Sequence, residues 1–369
     1  MTFITILIIV VFVVGYALIA LESATHINKA AVALLMCVAC WTLYMVHPAD
    51  YLPGVTTDLL SSRINTIIEE HLGSISTTLF FLMGAMTIVE VVDQYGGFNF
   101  VRDTLKTQSK RGLLWRVVAL TFILSAILDN MTTTIVMIMV LRKLVRDHSD
   151  RIIYASLIIL AANAGGAFSP IGDVTTIMLW NVGSITAAGV IEELLIPSAI
   201  SIFIPTLFLQ YKLHGALVEP DAATEETAAS VLSGWQHKAV FLLGVGGLIF
   251  VPIFRYLTDL PPFVGILLVL AVLWTVTELF FRLSKRAKTA GDMGKRVSQL
   301  LGRVDMSTIL FFLGILMTVA CLEEVGVLTV VGQGLDHTFH GNHYLVTGFI
   351  GVLSSIVDNV PLVAGCIGM

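Results

Sequence analysis

Long apolar runs alternate with short polar segments along most of this chain. Runs of about 20 apolar residues are typical of helices that cross a membrane. The pattern predicts seven such spans, at residues 2–20, 29–47, 72–92, 186–210, 237–254, 262–282 and 306–326. The mixed segment 48–71 predicts an interfacial helix between the second and third spans.

One apolar run, residues 112–145, is too long for a single span. A helix of that length would reach about 50 Å, whereas the hydrocarbon core is about 30 Å thick. Basic residues crowd both of its ends, which a simple span would place on opposite sides of the membrane. Because cytoplasmic loops carry the excess of basic residues, the run predicts a re-entrant hairpin with Asp129 at its tip. On this topology, Arg63 and Arg255 alone among the 21 basic residues lie outside.

A second unusual run, residues 152–184, contains NAGGAFSPIGDVTT. Its glycines and proline predict a broken helix, since both residue types disfavour a helix interior. Unwound backbone at membrane depth is tolerated where it is buried in protein or lines a polar cavity. Polar residues accompany the break, namely Asn163, Ser169, Asp173, Thr175 and Thr176. A kink that serves packing alone is the alternative interpretation.

Two sequence elements recur in the same order about 230 residues apart. FFLMGAMTIVEVV at 80–92 matches FFLGILMTVACLE at 311–323, and LSAILDN at 124–130 matches LSSIVDN at 353–359. The basic loops give the two copies opposite directions, and inverted repeats with broken helices are an architecture of secondary transporters. A counterpart of the 163–173 segment would fall beyond residue 369, so the second repeat is predicted to be incomplete.

These patterns predict an all-α polytopic membrane protein with re-entrant hairpins, a broken helix and an inverted repeat. The predicted organisation has five parts. They are the N-terminal spans with the interfacial helix at 1–71, the first repeat at 72–211, an acidic cytoplasmic linker at 212–236, spans with a basic cytoplasmic loop at 237–304, and the truncated second repeat at 305–369.

The composition supports an integral membrane protein, because 56% of the residues are hydrophobic and 13% are charged, against about 25% charged in soluble domains. The basic residues are scattered between apolar segments, which excludes a nucleic-acid-binding face. All four cysteines lie in apolar surroundings and are interpreted as packing residues. The lipid bilayer is the partner that the composition predicts.

Three aspartates, Asp129, Asp173 and Asp358, lie at the hairpin tips and the helix break. A carboxylate at such a place can hold a small hard cation or carry a proton, which is the minimal requirement for cation/proton exchange. We predict Asp129 and Asp173 as sodium ligands. Further candidates are Ser125, Asn130, Thr132, Thr133, Thr134, Asn163, Ser169, Thr175, Thr176, Ser354 and Asn359.

Each candidate also has a purely structural interpretation. An aspartate at a helix start accepts hydrogen bonds from free backbone amides, so Asp129 and Asp358 could be helix caps. Threonine and serine in membrane helices often bond to their own backbone. Ser125 and Ser354 each precede an aspartate by four residues, which would place them one turn away on the same helical face.

The segments SAILDNMTTTIVM, NAGGAFSPIGDVTTIMLW and SSIVDNVPLVA, supported by FFLMGAMTIVEVVD, resemble those of NhaD-type sodium/proton antiporters of the ion transporter superfamily. The resemblance implies a bacterial-type inner-membrane antiporter that exchanges sodium or lithium for protons and forms a homodimer, with no cofactor. It also implies an ion relay at Ser125, Asp129, Asn130, Asn163, Asp173, Thr175, Thr176, Ser354 and Asn359.

Two other functions remain open at this point. One is a sodium- or potential-driven permease for an anion such as arsenite or a dicarboxylate, since helix N-termini at the tips would suit an anion. The other is an intramembrane aspartyl protease that uses Asp129 and Asp173. The recurrence of Asp-Asn in both halves has no use in proteolysis, so we predict a transporter and not an enzyme.

Overall fold

A computed structural model describes residues 2–52, 57–95, 104–105, 107–215, 234–283, 297–355 and 359–367. The regular elements in these ranges are helices. Many helix starts carry an Asp, Asn, Ser or Thr whose side chain accepts a backbone N–H of the first turn. These caps are Thr2, Asn28, Ser109, Asp129, Asp147, Asp173, Thr186, Asp305 and Asn342.

We number the longer helices in chain order. The first seven are α1 (Phe3–Ala20), α2 (Lys29–Val46), α3 (Thr57–Gln94), α4 (Lys110–Ser125), α5 (Asn130–Leu144), α6 (His148–Ala167) and α7 (Val174–Asn181). The next seven are α8 (Ala187–Leu209), α9 (Gly234–Thr258), α10 (Pro262–Leu283), α11 (Met306–Glu324), α12 (Val327–Thr338), α13 (His343–Ser354) and α14 (Asn359–Ile367).

Seven helices of the described residues are long and apolar enough to cross a membrane. They are α1, α2, α3, α8, α9, α10 and α11, and each contains most or all of one of the predicted spans. The prediction of a multi-pass helical membrane protein is therefore confirmed.

The prediction of a separate interfacial helix within 48–71 is wrong. Helix α3 runs without interruption from Thr57 to Gln94, so the polar stretch and the third span form one helix of 38 residues. No proline lies within it, and an isolated glycine such as Gly73 costs a helix only about 1 kcal/mol. A loss of hydrophobicity marks the edge of the membrane, but it does not end a helix.

Contacts divide the chain into two compact units, residues 1–80 with 305–369, and residues 81–304. In the first unit, α11 packs along α2, and a Cβ atom on Gly314 would lie 2.6 Å from the backbone carbon of Ala33. This close approach is typical of membrane helices with small residues at their interface. Trp41 Nε1 donates a hydrogen bond of 2.9 Å to the Met317 carbonyl across the same interface.

In the second unit, α6 lies in contact with α4, α5 and α8, whereas α9 and α10 pack on each other. Helix α6 is therefore the centre of the group that carries most of the predicted ion-relay residues. The domain boundaries predicted from the sequence stay predictions. The acidic linker and the basic loop lie mostly outside the described residues, and so does Asp358.

Both unusual apolar runs are interrupted. The run 112–145 forms α4 and α5, which end at Ser125 and begin at Asn130, with a short turn between them. The run 152–184 forms α6 and α7, with an irregular stretch at 168–173. Gly165 and Gly166, predicted to break the helix, lie inside the last turn of α6, and the break begins after them.

Candidate ion-binding site

The starts of α5 and α7 lie beside each other, linked by one asparagine. Asn130 is the first residue of α5, and its Nδ2 donates to Asp173 Oδ2 at 2.6 Å and to Asn163 Oδ1 at 3.1 Å. Asp173 caps α7, and Asn163 lies on α6. The half-buried Asn130 thus links the exposed Asn163 to Asp173, which is only 6% exposed.

Asp173 is held by its own helix as well. Its Oδ1 accepts the Thr175 backbone N–H at 2.8 Å and the Thr175 hydroxyl at 2.5 Å. The Thr176 hydroxyl donates to the Asp173 carbonyl at 2.8 Å. Burial of a charge away from water is costly, and hydrogen-bond donors together with the positive end of a helix favour the ionised carboxylate. Both carboxylate oxygens of Asp173 thus accept hydrogen bonds, one from Thr175 and the other from Asn130.

Asp129 has different surroundings. Its Oδ1 accepts the Thr132 backbone N–H at 2.7 Å, and its Oδ2 accepts the Thr132 hydroxyl at 2.5 Å. Both carboxylate oxygens are thus bonded by one residue of α5, and the side chain is half-buried. This is the geometry of a helix cap.

One hydroxyl near the start of α5 has no hydrogen bond. Among the described residues, the Thr133 hydroxyl oxygen is fully buried and without a partner. Such a group costs about 1–3 kcal/mol. Thr133 follows Asn130 by three residues and therefore lies on the same face of α5, one turn further along. Thr134 instead bonds to the Asn130 carbonyl at 2.7 Å.

Two serines predicted near the site bond to the backbone of neighbouring segments. Ser125 Oγ donates to the Ala162 carbonyl of α6 at 2.5 Å, and Ser169 Oγ donates to the Ala126 carbonyl at 2.5 Å. The expectation that Ser125 shares a helical face with Asp129 is wrong, because α4 ends at Ser125 and the chain turns before Asp129. The serines fasten the turn after α4 to α6 and to the break.

Glycine makes this packing possible. A Cβ atom on Gly165 would lie 2.2 Å from the Phe122 carbonyl oxygen of α4, and one on Gly172 would lie 2.5 Å from the Ser125 carbonyl oxygen. Because backbone atoms cannot move aside as a flexible side chain does, only glycine fits these two positions. The sequence pattern predicts these glycines as helix breakers only and does not indicate their role in bringing the segments together.

Comparison with known proteins places the chain in a family. The sequence model of the citrate transporter family, CitMHS, matches residues 5–369. The chain belongs to this family.

Several named proteins are similar to this chain over nearly its full length. Sodium/proton antiporter 2 of Arabidopsis thaliana is 39% identical over 97% of this chain and 81% of its own length. Sodium/proton antiporter 1 of the same plant is 41% identical over 97% of this chain, which spans only 59% of that relative. The Na(+)/H(+) antiporter NhaD of Alkalimonas amylolytica is 28% identical over 98% of this chain and 76% of its own length. The resemblance to NhaD-type proteins is confirmed.

The remaining predicted site residues of this family member lie in the other unit. Ser354 ends α13 and Asn359 begins α14, both half-buried in the first unit. Asn359 is the first residue of α14, as Asn130 is the first residue of α5. For these two residues, as for the other predicted site residues, the ion-relay role stays a prediction from the sequence.

Proposed function

We propose that this chain exchanges sodium or lithium for protons across a membrane, with Asp173 as the carboxylate that alternately holds the cation and the proton. The observation that carries the proposal is the partly buried hydrogen bond of 2.6 Å from Asn130 Nδ2 to Asp173 Oδ2. Through this bond Asp173 Oδ2 lies where the starts of two helices meet, and the same Asn130 amide also bonds to the exposed amide of Asn163.

The oxygen atoms around this point suit sodium, which is coordinated by carboxylate, carbonyl and hydroxyl oxygens. A half-turn of the Asn130 amide would present its Oδ1 in place of Nδ2. The candidate ligands of the cation would then be Asp173 Oδ2, the amide oxygens of Asn130 and Asn163, and the unpartnered Thr133 hydroxyl one turn along the same face of α5. Asp129 caps α5 in this scheme and keeps Asn130 in place.

Exchange follows from competition at one carboxylate. A proton neutralises Asp173 and removes the charge that attracts sodium, and a bound sodium ion stabilises the ionised form and disfavours the proton. The two cargoes therefore exclude each other at this oxygen. If the occupied site opens to one side of the membrane at a time, each cycle moves sodium one way and protons the other.

The helix lengths support a re-entrant arrangement of α4 and α5. With 16 and 15 residues, each helix reaches about 23 Å, which is short of a hydrocarbon core of about 30 Å. Helices α13 and α14, with 12 and 9 residues, are shorter still. The sequence LSSIVDN at 353–359 repeats LSAILDN at 124–130, which contains the turn between α4 and α5. We therefore propose an inverted repeat in which each copy has an interrupted hairpin.

The bacterial relatives support a place in the cytoplasmic membrane, as the motifs also imply, although two relatives are plant proteins. A homodimer is proposed on the family resemblance alone.

A second candidate function is transport of an anion. It is favoured by the description of the family as citrate transporters and by the two helix N-termini, which attract negative charge. In this chain, however, aspartates already cap both N-termini, and each accepts the backbone N–H that an anion would use. A carboxylate substrate would have to displace a carboxylate of the protein, so we favour the cation.

The test is a proton-flux assay in everted membrane vesicles from cells without their own sodium/proton antiporters. A respiratory pH gradient is reported by a fluorescent dye, and sodium, lithium, potassium or choline chloride is then added. We expect sodium and lithium, but not choline, to dissipate the gradient within seconds.

Potassium citrate serves as the matched anion challenge. Antiport would be rejected in favour of anion transport if membranes that contain the protein take up radiolabelled citrate while sodium fails to dissipate their pH gradient. Membranes that carry an unrelated protein of similar size give the background.

A further inference from the structure

Arg255 makes two contacts with one residue of another helix. It lies in the last turn of α9, half-buried, and its Nη1 donates to the Trp180 carbonyl at 2.8 Å. Its guanidinium carbon also lies 4.6 Å from the centre of the Trp180 ring. In the predicted topology, Arg255 is one of two basic residues outside the cytoplasmic side, so its position needs a specific reason.

Trp180 belongs to the helix that carries Asp173. It is the penultimate residue of α7 and only 3% exposed. Helix α7 has eight residues, about 12 Å, and a helix that short does not persist without contacts that fix its ends. Asn130 and Thr175 hold its first end through Asp173, and Arg255 holds its last turn.

The chemistry of arginine matches this position. The last carbonyls of a helix carry partial negative charge and lack partners within the helix, so a cation there is favourable. A planar guanidinium can donate to a carbonyl while it stacks on an indole ring, whereas a lysine ammonium is a point charge without that geometry. Arg255 thus binds backbone and side chain of Trp180 together.

We propose that Arg255 is a positioning residue for ion binding, because it anchors the far end of α7 and thereby keeps Asp173 within reach of Asn130. This inference rests on the proposed role of Asp173. Without the anchor, α7 gains freedom to tilt, and the bond between Asn130 and Asp173 is weakened. Since that bond favours the ionised carboxylate, its loss lets the proton compete better against sodium.

The experiment measures the sodium concentration for half-maximal proton movement in everted vesicles at pH 7 and pH 9. For Arg255→Gln we expect a rise of about tenfold at pH 7 and a smaller rise at pH 9, where protons compete less. Arg255→Lys, which keeps the charge but not the stacking, should raise the half-saturating sodium concentration about threefold at pH 7. The matched control is Arg63→Gln, which removes the other predicted outside charge from an exposed site and should stay within about twofold.

A second measurement does not depend on transport. Hydrogen exchange of residues 174–181 in the purified full chain should be faster in Arg255→Gln than in the parent chain. If Arg255→Gln does not accumulate, Trp180→Leu removes the ring contact but keeps the carbonyl, and should shift both readouts in the same direction by less.

The outcomes separate the two proposals. An unchanged half-saturating sodium concentration at both pH values, even with a lower maximal rate, overturns the positioning role. A parent chain that shows no sodium-dependent proton movement overturns the proposed function instead. Faster exchange of α7 in Arg255→Gln would in that case still support the anchoring of α7 by Arg255.

Discussion

The starts of α5 and α7 look alike and differ in one respect. Each begins with an aspartate cap, and in each the cap accepts both the backbone N–H and the hydroxyl of a threonine two or three residues later. At α5 these two bonds occupy both oxygens of Asp129. At α7 they occupy one oxygen of Asp173, and the other accepts Nδ2 of Asn130 from the neighbouring helix start.

The same capping pattern recurs at the start of α11, where nothing connects it with ions. Asp305 Oδ1 accepts the Thr308 N–H at 3.2 Å and its Oδ2 accepts the Thr308 hydroxyl at 2.5 Å, as in Asp129 and Thr132. Helix capping alone therefore accounts for the two hydrogen bonds around Asp129. The comparison teaches that a carboxylate in a membrane segment is a candidate ion ligand when an oxygen is directed beyond its own helix.

The largest expected effect separates the two aspartates directly. Asp173→Asn removes the proposed exchanging charge and should lower sodium-dependent proton movement by about 100-fold or more, whereas Asp129→Asn keeps a good cap and should stay within about threefold. Both are measured by dye dequenching in everted vesicles. Asp147→Asn, at the exposed cap of α6, controls for the substitution itself. If Asp129→Asn is as inactive as Asp173→Asn, the distinction fails and Asp129 is an ion ligand, as the sequence predicts.

A smaller effect is expected at the amide that joins the helix starts. Asn130→Ala removes the donor to Asp173 and should raise the half-saturating sodium concentration about tenfold. Because the lost bond favours the ionised carboxylate, activity should also be lost first on the acidic side of the pH profile. Asn163→Ala removes the more distant, exposed partner and should change the same quantity by about two- to threefold. Equal effects of the two variants would mean that Asn163, and not the Asp173 contact, decides affinity.

The smallest effect tests whether Asp129 and Asp305 are equivalent caps. Thr132→Val and Thr308→Val each remove one hydroxyl bond to a capping carboxylate and should each lower stability by about 1 kcal/mol. The measurement is thermal unfolding of the purified protein in detergent, beside vesicle transport. Transport by Thr132→Val should remain near that of the parent chain. A loss of transport in Thr132→Val alone, at equal stability, would show that the Asp129 pair serves the ion.

Much of the fold could be predicted from the sequence, because membrane thickness sets the length of an apolar run. The seven apolar runs predict all seven spans, and the overlong run with basic residues at both ends predicts the turn at Asp129. The continuous helix from Thr57 to Gln94 was missed, since hydrophobicity reports depth in the membrane and not helix ends.

The site was harder to predict because its contacts join residues far apart in the chain. Asp173 and Asn130 were named as candidates from residue type, but their mutual bond spans 43 residues and depends on how α6 packs. The serines were named as candidate ligands, yet they bond to carbonyl groups of other segments. No local sequence pattern predicts the contact between Arg255 and Trp180. The one indication is that Arg255 is predicted to lie on the side of the membrane that has few basic residues.

The glycine contacts also govern how a mutational survey of this protein would look. Gly165 and Gly172 admit no side chain, since a carbonyl oxygen occupies the place of a Cβ atom at each. In a screen for growth in sodium, substitutions there would be scored as damaging as those at Asp173, although neither glycine has a side chain that could bind an ion. A screen that also measures the amount of protein in the membrane would separate the two classes of substitution. Substitutions of the glycines should lower the amount of protein, whereas substitutions of Asp173 should leave a normal amount of inactive protein.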